Sequence, residues 1–147
     1  MTSRTLARQI AEFMHSKKGL DVVIIDLRKV TSTTDYFVIC TGESDTHVRG
    51  IADAVQDGTA QIGSPVWKYE GYHALQWVLL DFVDVVAHVF YKEARPFYNL
   101  ERLWGDATVT SVLDEADDDV PVKKTKPRTR KAPAKKKAAV DKKAEIE

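Results

Sequence analysis

Residues 77–104 constrain this chain more than any other stretch. Trp77-Val78-Leu79-Leu80-Asp81 and Val85-Val86-Ala87-His88-Val89-Phe90-Tyr91 are two β-rich runs separated by Phe82-Val83-Asp84, a pattern that predicts a hairpin with an acidic turn. The segment behind it ends in Arg95-Pro96-Phe97-Tyr98-Asn99-Leu100-Glu101-Arg102-Leu103-Trp104 and predicts a short helix folded against the hairpin. Five aromatic residues stand between Phe90 and Trp104, too many for a surface loop. Such side chains either build a core or anchor a partner, and the choice decides the function.

Charge divides the 147 residues into two parts. Met1 to Ala107 carries 11 Lys and Arg against 14 Asp and Glu, a net of −3; Thr108 to Glu147 carries 11 against 8, a net of +3. The formal charge of zero therefore combines an acidic body with a basic tail. A body of residues 1–107 is large enough to bury one core unaided. Residues 108–147 read as a disordered tail, acidic at Asp114 to Asp119 and then Lys/Arg-rich from Lys123 to Lys143, because too little apolar surface is available to offset chain entropy. Such a tail suits weak, salt-sensitive contact with RNA phosphates, or serves as a solubilising appendage. The single Cys40 forbids an internal disulfide and fits a reducing compartment. No run approaches the roughly 18 apolar residues that cross a bilayer, and the N-terminus has no signal-like apolar stretch. The expectation is a cytoplasmic protein with no membrane contact.

The elements follow from periodicity. Leu6, Ile10, Phe13 and Met14 recur at helical spacing, with Thr2 or Ser3 as cap and Gly19 as stop. Asp21 to Leu27 predicts a strand buried on both faces, and Tyr36 to Thr41 a second. Ser44 caps a helix to about Ile62 whose buried stripe is Val48, Ile51, Ala52 and Val55. Gly50 and Gly58 weaken that helix by about 1 kcal/mol each relative to Ala, so packing must support it. A short strand at Val66 to Tyr69 and the hairpin complete the order. The fold class is α/β (α+β): a mixed β-sheet of about five strands with flanking helices.

Thr41-Gly42-Glu43-Ser44, a glycine turn between strand and helix, is the one sequence that invites an enzymatic reading, since a helix N-terminus after glycine can hold phosphate. Nucleotidyltransferases with a similar Gly-x-Ser also need two carboxylates, as Asp-x-Asp or Asp-x-Glu on a nearby strand, to hold magnesium. Asp45, Asp53 and Asp57 form no such pair, and no Walker or Rossmann glycine pattern is present. The bland alternative is a capped strand-to-helix turn. Asp26, Asp35, Asp81 and Asp84 sit at strand ends, where acids satisfy turn amides. His15, His47, His73 and His88 have no zinc spacing. His88 interrupts an apolar strand, sharing a face with Val86 and Phe90, and is either a hydrogen-bonded structural residue or a functional one. Trp77 shares a face with Leu79 and Asp81. If both hairpin faces are apolar, one is covered by helices. The other is a docking surface or is covered by Phe97 to Trp104. No cofactor or metal is expected.

Thr34-Asp35-Tyr36-Phe37-Val38-Ile39-Cys40-Thr41-Gly42 resembles the signature of the ribosomal silencing factor family (RsfS, also called Iojap or YbeB). Four further segments agree: His47 to Asp53, Glu70-Gly71, Trp77 to His88, and Arg95 to Trp104. The likeness spans about Leu6 to Asp106. It departs at Val83, where the family usually has glycine, and in the long tail, which short members lack. The resemblance implies a nucleotidyltransferase-like fold without the catalytic acids, and no enzyme activity. It implies a protein that binds the large ribosomal subunit through ribosomal protein fourteen and sterically stops the small subunit from joining, repressing translation under nutrient limitation. Large-subunit assembly is the alternative role, and a nucleotide-binding enzyme built on Gly42 and Ser44 the other. On this reading Trp77, His88, Arg95, Tyr98, Leu100, Glu101 and Trp104 form the ribosome-docking patch, with Arg95 and Glu101 at its rim. An acidic body suits a basic ribosomal protein, the basic tail suits rRNA, and an apolar sheet face could pair two copies as a homodimer off the ribosome.

Overall fold

A computed structural model of the chain describes residues 1–112 and, as backbone alone, 120–121. The elements run α1 (Ser3–Ser16), β1 (Leu20–Asp26), β2 (Tyr36–Gly42), α2 (Asp45–Gln61), β3 (Lys68–Glu70), β4 (Trp77–Asp81) and β5 (Val85–Tyr91). Then come α3 (Ala94–Tyr98), α4 (Leu100–Leu103), β6 (Thr108–Ser111) and β7 (Val120–Pro121). They form one mixed sheet in the order β3-β4-β5-β2-β1-β6-β7. Its parallel pair is β2 and β5; the other neighbours are antiparallel.

The sheet divides two cores. On one face α1 and α2 cover Tyr36, Val38, Cys40, Val78, Leu80, Ala87 and Val89. On the other, the segment containing α3 and α4 packs onto Phe37, Ile39, Trp77, Leu79, Val86 and Phe90. Strands sandwiched in this way need apolar side chains at every position rather than at alternate ones. This holds for β2, where all seven residues are buried, and for β5, where only Tyr91 is not. The first strand is covered on both faces, as expected, but less completely than β2: Val22 and Ile24 pack into the helix-side core and Val23, Ile25 and Leu27 into the other, while Leu20 and Asp21 at its start are exposed.

Two corrections concern the edge. Thr108–Ser111, assigned above to the tail, is a strand that pairs with β1 from Asp26↔Thr108 to Val23↔Ser111. The sheet therefore has two strands more than the five expected, and its last elements lie beyond residue 107. A four-residue run of Thr, Val and Ser has no pattern of its own; the open edge of β1 supplies the hydrogen bonds that make it a strand. The acidic run Asp114 to Asp119 and the basic run Lys123 to Lys143 lie outside the described residues.

Local signals explain the helices. The Thr2 hydroxyl accepts the Thr5 N–H and caps α1; the Ser44 hydroxyl accepts the His47 N–H and caps α2. Leu6, Ile10 and Met14 of α1 and Val48, Ile51, Ala52 and Val55 of α2 are buried as the spacing requires. Gly58 is where the helices meet: a Cβ there would lie 2.6 Å from the Phe13 ring, whereas one at Gly50 would meet nothing within 4 Å.

Candidate functional site: the aromatic layer and its cap

The hairpin register decides which aromatics meet. Trp77 pairs with Phe90 and Leu79 with His88, so all four side chains point to the same face. The grouping of Trp77 with His88, which sequence parity alone leaves open, is thereby fixed. The Trp77 indole Nε1–H donates to His88 Nδ1 at 2.9 Å. That bond needs a lone pair on Nδ1, so the acceptor is the neutral imidazole with its proton on Nε2. Phe37 packs edge-on against both His88 and Trp104, with ring centroids 4.4 and 5.9 Å away.

α3 and α4 close over this layer. The expected single helix is two short ones, broken at Asn99, which takes the left-handed conformation at φ 45°, a state that asparagine tolerates better than most residues. Tyr98 lies with its ring 4.6 Å from Trp77 and 6.1 Å from Phe90. Leu100 and Trp104, on α4 and at its end, are buried against the sheet. Arg95 ties it down, donating from Nη1 to the Asp21 carbonyl and the Thr41 hydroxyl, both at 2.9 Å. Its Nε and Nη2 donate to Glu101 Oε2 at 3.1 and 2.6 Å. Asp21 sits at a register shift in β1 with a positive φ of 46°, and its carbonyl is the one that meets the guanidinium.

Seven residues were expected to form a docking patch, and the structure sorts them. Trp77, His88, Leu100 and Trp104 are buried: the cap covers Trp77 and His88, and Leu100 and Trp104 pack from the cap into the core beneath it. Arg95 and Glu101 pair with each other. Tyr98 is half-buried, one edge in the core and one toward solvent. The apolar sheet face suggested above for pairing two copies is occupied by α3 and α4. The sequence reading missed Phe97, which is 77% exposed and stands edge-on to Tyr98 at 4.9 Å. A five-residue helix is too short for periodicity to separate Phe97 from Tyr98, although neighbours in a helix lie about 100° apart and so do not point the same way.

The Gly42-x-Ser44 turn is used structurally. A Cβ on Gly42 would lie 2.8 Å from Val48 Cγ2. The Glu43 N–H donates to His47 Nδ1 at 2.9 Å, and His47 Nε2 lies 2.8 Å from the Lys17 carbonyl, joining this turn to the end of α1. Among the described residues no three His, Cys, Asp or Glu side chains are grouped to hold a metal ion. No helix among them is long and apolar enough to cross a membrane. Cys40 is buried in β2, and burial pushes its thiol up to about 12.

The chain is thus a mixed-sheet domain with helices on one face and a short aromatic cap on the other. It belongs to the RsfS family, described as ribosomal silencing factor during starvation, which matches residues 1–145. It is 38% identical over 112 residues to ribosomal silencing factor RsfS of Bacillus subtilis, covering 76% of this chain and 95% of that one. It is also 29% identical over 98 residues to the mouse protein named mitochondrial assembly of ribosomal large subunit protein 1, covering 65% of this chain and 43% of that one. A crystal structure of a Chromobacterium violaceum protein superposes with a TM-score of 0.70 at 32% identity, covering 71% of this chain and 88% of the other. The family and its relatives place this chain in ribosome-associated regulation.

Proposed function

We propose that the chain binds the large ribosomal subunit through ribosomal protein fourteen and, from that position, sterically blocks the small subunit, repressing translation when nutrients are scarce. The observation that carries this reading is the aromatic cap. Phe97 projects into solvent edge-on to Tyr98, whose own ring packs against the buried Trp77 and Phe90. A large exposed apolar side chain on a pre-ordered support is the form of an interface anchor, since little entropy is lost on docking. The reaction-free character follows, for blocking needs only an occupied surface. The protein acts in the cytoplasm, its acidic body faces a basic partner, and the basic tail adds weak, salt-sensitive contact with rRNA phosphates.

Phe97 and Tyr98 replace the buried Trp77, His88 and Trp104 as the direct contacts. The buried residues then act by holding the cap in place. Cosedimentation with isolated large subunits tests this. Phe97→Ala is expected to lose at least about tenfold in affinity, as a hot-spot truncation does, with an unchanged circular dichroism spectrum. Retention of full affinity by Phe97→Ala would remove the cap from the interface. The name of the mouse relative favours a second reading, a role in large-subunit assembly. Depletion that leaves mature large subunits abundant but poorly silenced would argue against it.

A further inference from the structure

We propose that an exposed aromatic patch at the β3 edge of the sheet docks this chain's own basic run, taking lysines between Lys131 and Lys143 onto the rings of Trp67 and Tyr69. That run lies outside the described residues.

The patch is built on an edge strand. β3 is the outermost strand on its side of the sheet, and Trp67 and Tyr69 are 64% and 55% exposed. Single exposed apolar residues are ordinary, but two large rings two residues apart at a sheet edge mark an interaction surface. Tyr69 pairs with Leu80, which belongs to the core beneath α1 and α2, so Tyr69 faces away from the cap that carries Phe97. Its ring stands edge-on to Tyr72 with centroids 5.4 Å apart. Tyr72 is held in turn by α2: its hydroxyl accepts from Gln56 Nε2 at 2.8 Å and donates to Asp53 Oδ1 at 3.1 Å. A platform ordered before docking lowers the entropic cost of using it.

The charges around the rings select the occupant. Lys68 Nζ lies 5.3 Å from the centroid of the Trp67 ring, and the Arg49 guanidinium 5.9 Å from that of Tyr72, so rings of this patch already accept cations. Carboxylates outnumber those two bases. Asp53 bonds Tyr72, Glu70 follows Tyr69 in β3, Asp81 stands opposite Lys68, and Asp57 lies one turn beyond Asp53 on α2. An acidic surround repels a phosphate backbone and attracts a cationic segment.

The chain supplies such a segment within reach. Residues 131–143 hold six lysines against the single acid Asp141. Pro121 in β7 lies six strand spacings from β3, a distance of about 29 Å across the sheet. At about 3.3 Å per extended residue, the crossing takes at least about nine residues. Lys123, Lys124, Lys126 and Arg128 therefore fall short, and the lysines from Lys131 onward reach. Tethering raises their effective concentration to the millimolar range, so a contact too weak to form between separate molecules is populated within one. RNA phosphates compete for the same lysines, and the patch thus holds the run on the body until a polyanion draws it away.

The test reads the three indole Nε1–H signals of the full chain by NMR. Trp77 and Trp104 are buried on the cap side and serve as internal controls for Trp67. A nitroxide is attached at Ala138→Cys; Cys40 is buried and stays unlabelled. The Trp67 signal is expected to lose about half its intensity or more, with Trp77 and Trp104 little changed. It should recover when the six lysines from Lys131 to Lys143 are changed to Gln, and in Tyr69→Ser, which removes an exposed ring and leaves the core intact. Absence of a selective loss at Trp67 would overturn the proposal, as would a loss that persists in either variant. So would a loss seen only when the nitroxide sits on a second copy mixed with the observed one, since the contact would then join two molecules. A Trp67 shift on adding a short oligouridylate, with no broadening from the nitroxide, would assign the patch to RNA instead.

Discussion

Val83 holds the hairpin turn at φ 77°. The Asp84 N–H donates to the Phe82 carbonyl at 3.0 Å, so the turn is a three-residue γ-turn of the strained, positive-φ kind. A β-branched residue is poorly suited to that conformation. Asp81 compensates in part by accepting the Val83 N–H at 2.8 Å. The strain is tolerated because the Asp84 carbonyl accepts from the Asp35 and Tyr36 N–H groups and the Thr34 hydroxyl, fixing the turn to the start of β2. Val83→Gly should therefore stabilise the chain by about 1 kcal/mol, a rise of roughly 5 °C in calorimetry. A lower melting temperature would show that Val83 is unstrained. At Trp77 the indole N–H is as important as the ring. Trp77→Phe leaves His88 Nδ1 without its donor in a buried site and should cost about 1–3 kcal/mol by chemical denaturation. Cys40 gives a pH prediction with a definite sign. Because its folded-state value is raised to about 12, the thiolate is scarce at every lower pH, so the folded chain should not react with a thiol reagent at pH 8 and the denatured chain should.

The two glycines of α2 have opposite uses. Gly50 faces open space, so Gly50→Ala should stabilise by about 1 kcal/mol through helix propensity alone. Gly58 receives the Phe13 ring, so Gly58→Ala should forfeit that gain; paired melting curves would separate the two, and equal gains would show that Phe13 moves freely. The elements most legible in the sequence were those whose signal is internal. α1 and α2 carry caps and stripes, β2 is apolar throughout, and the hairpin runs are long. The two elements misread depend on neighbours. β6 exists because β1 offers an edge, and α3 and α4 are separated by one left-handed asparagine that no periodicity marks. The site was legible to the same extent. The sequence located the aromatic layer, but whether Trp77 and Trp104 face solvent or core depended on the fold-back of a segment held chiefly by Arg95. Arg95→Lys keeps the charge but loses the fork to Glu101, and should loosen the cap without unfolding the sheet.

As a whole, the molecule is three layers in which the two sheet faces have different uses. One is closed by α1 and α2 and sustains the fold. The other is closed by a cap small enough to leave Phe97 and part of Tyr98 to solvent. Under the proposed function, the exposed aromatic edge is the surface through which the protein would act. The acidic body and the basic run at Lys123 to Lys143 place opposite charges on one chain, so ribosome binding should weaken with salt by the share the tail contributes. The central claim is steric blocking, and ribosomal subunit joining followed by light scattering tests it most directly. With isolated small and large subunits mixed in magnesium, the account predicts that the full chain lowers the joined fraction in proportion to the large subunits it occupies, and that Phe97→Ala restores joining. Undiminished joining at a concentration that saturates the large subunits would contradict it.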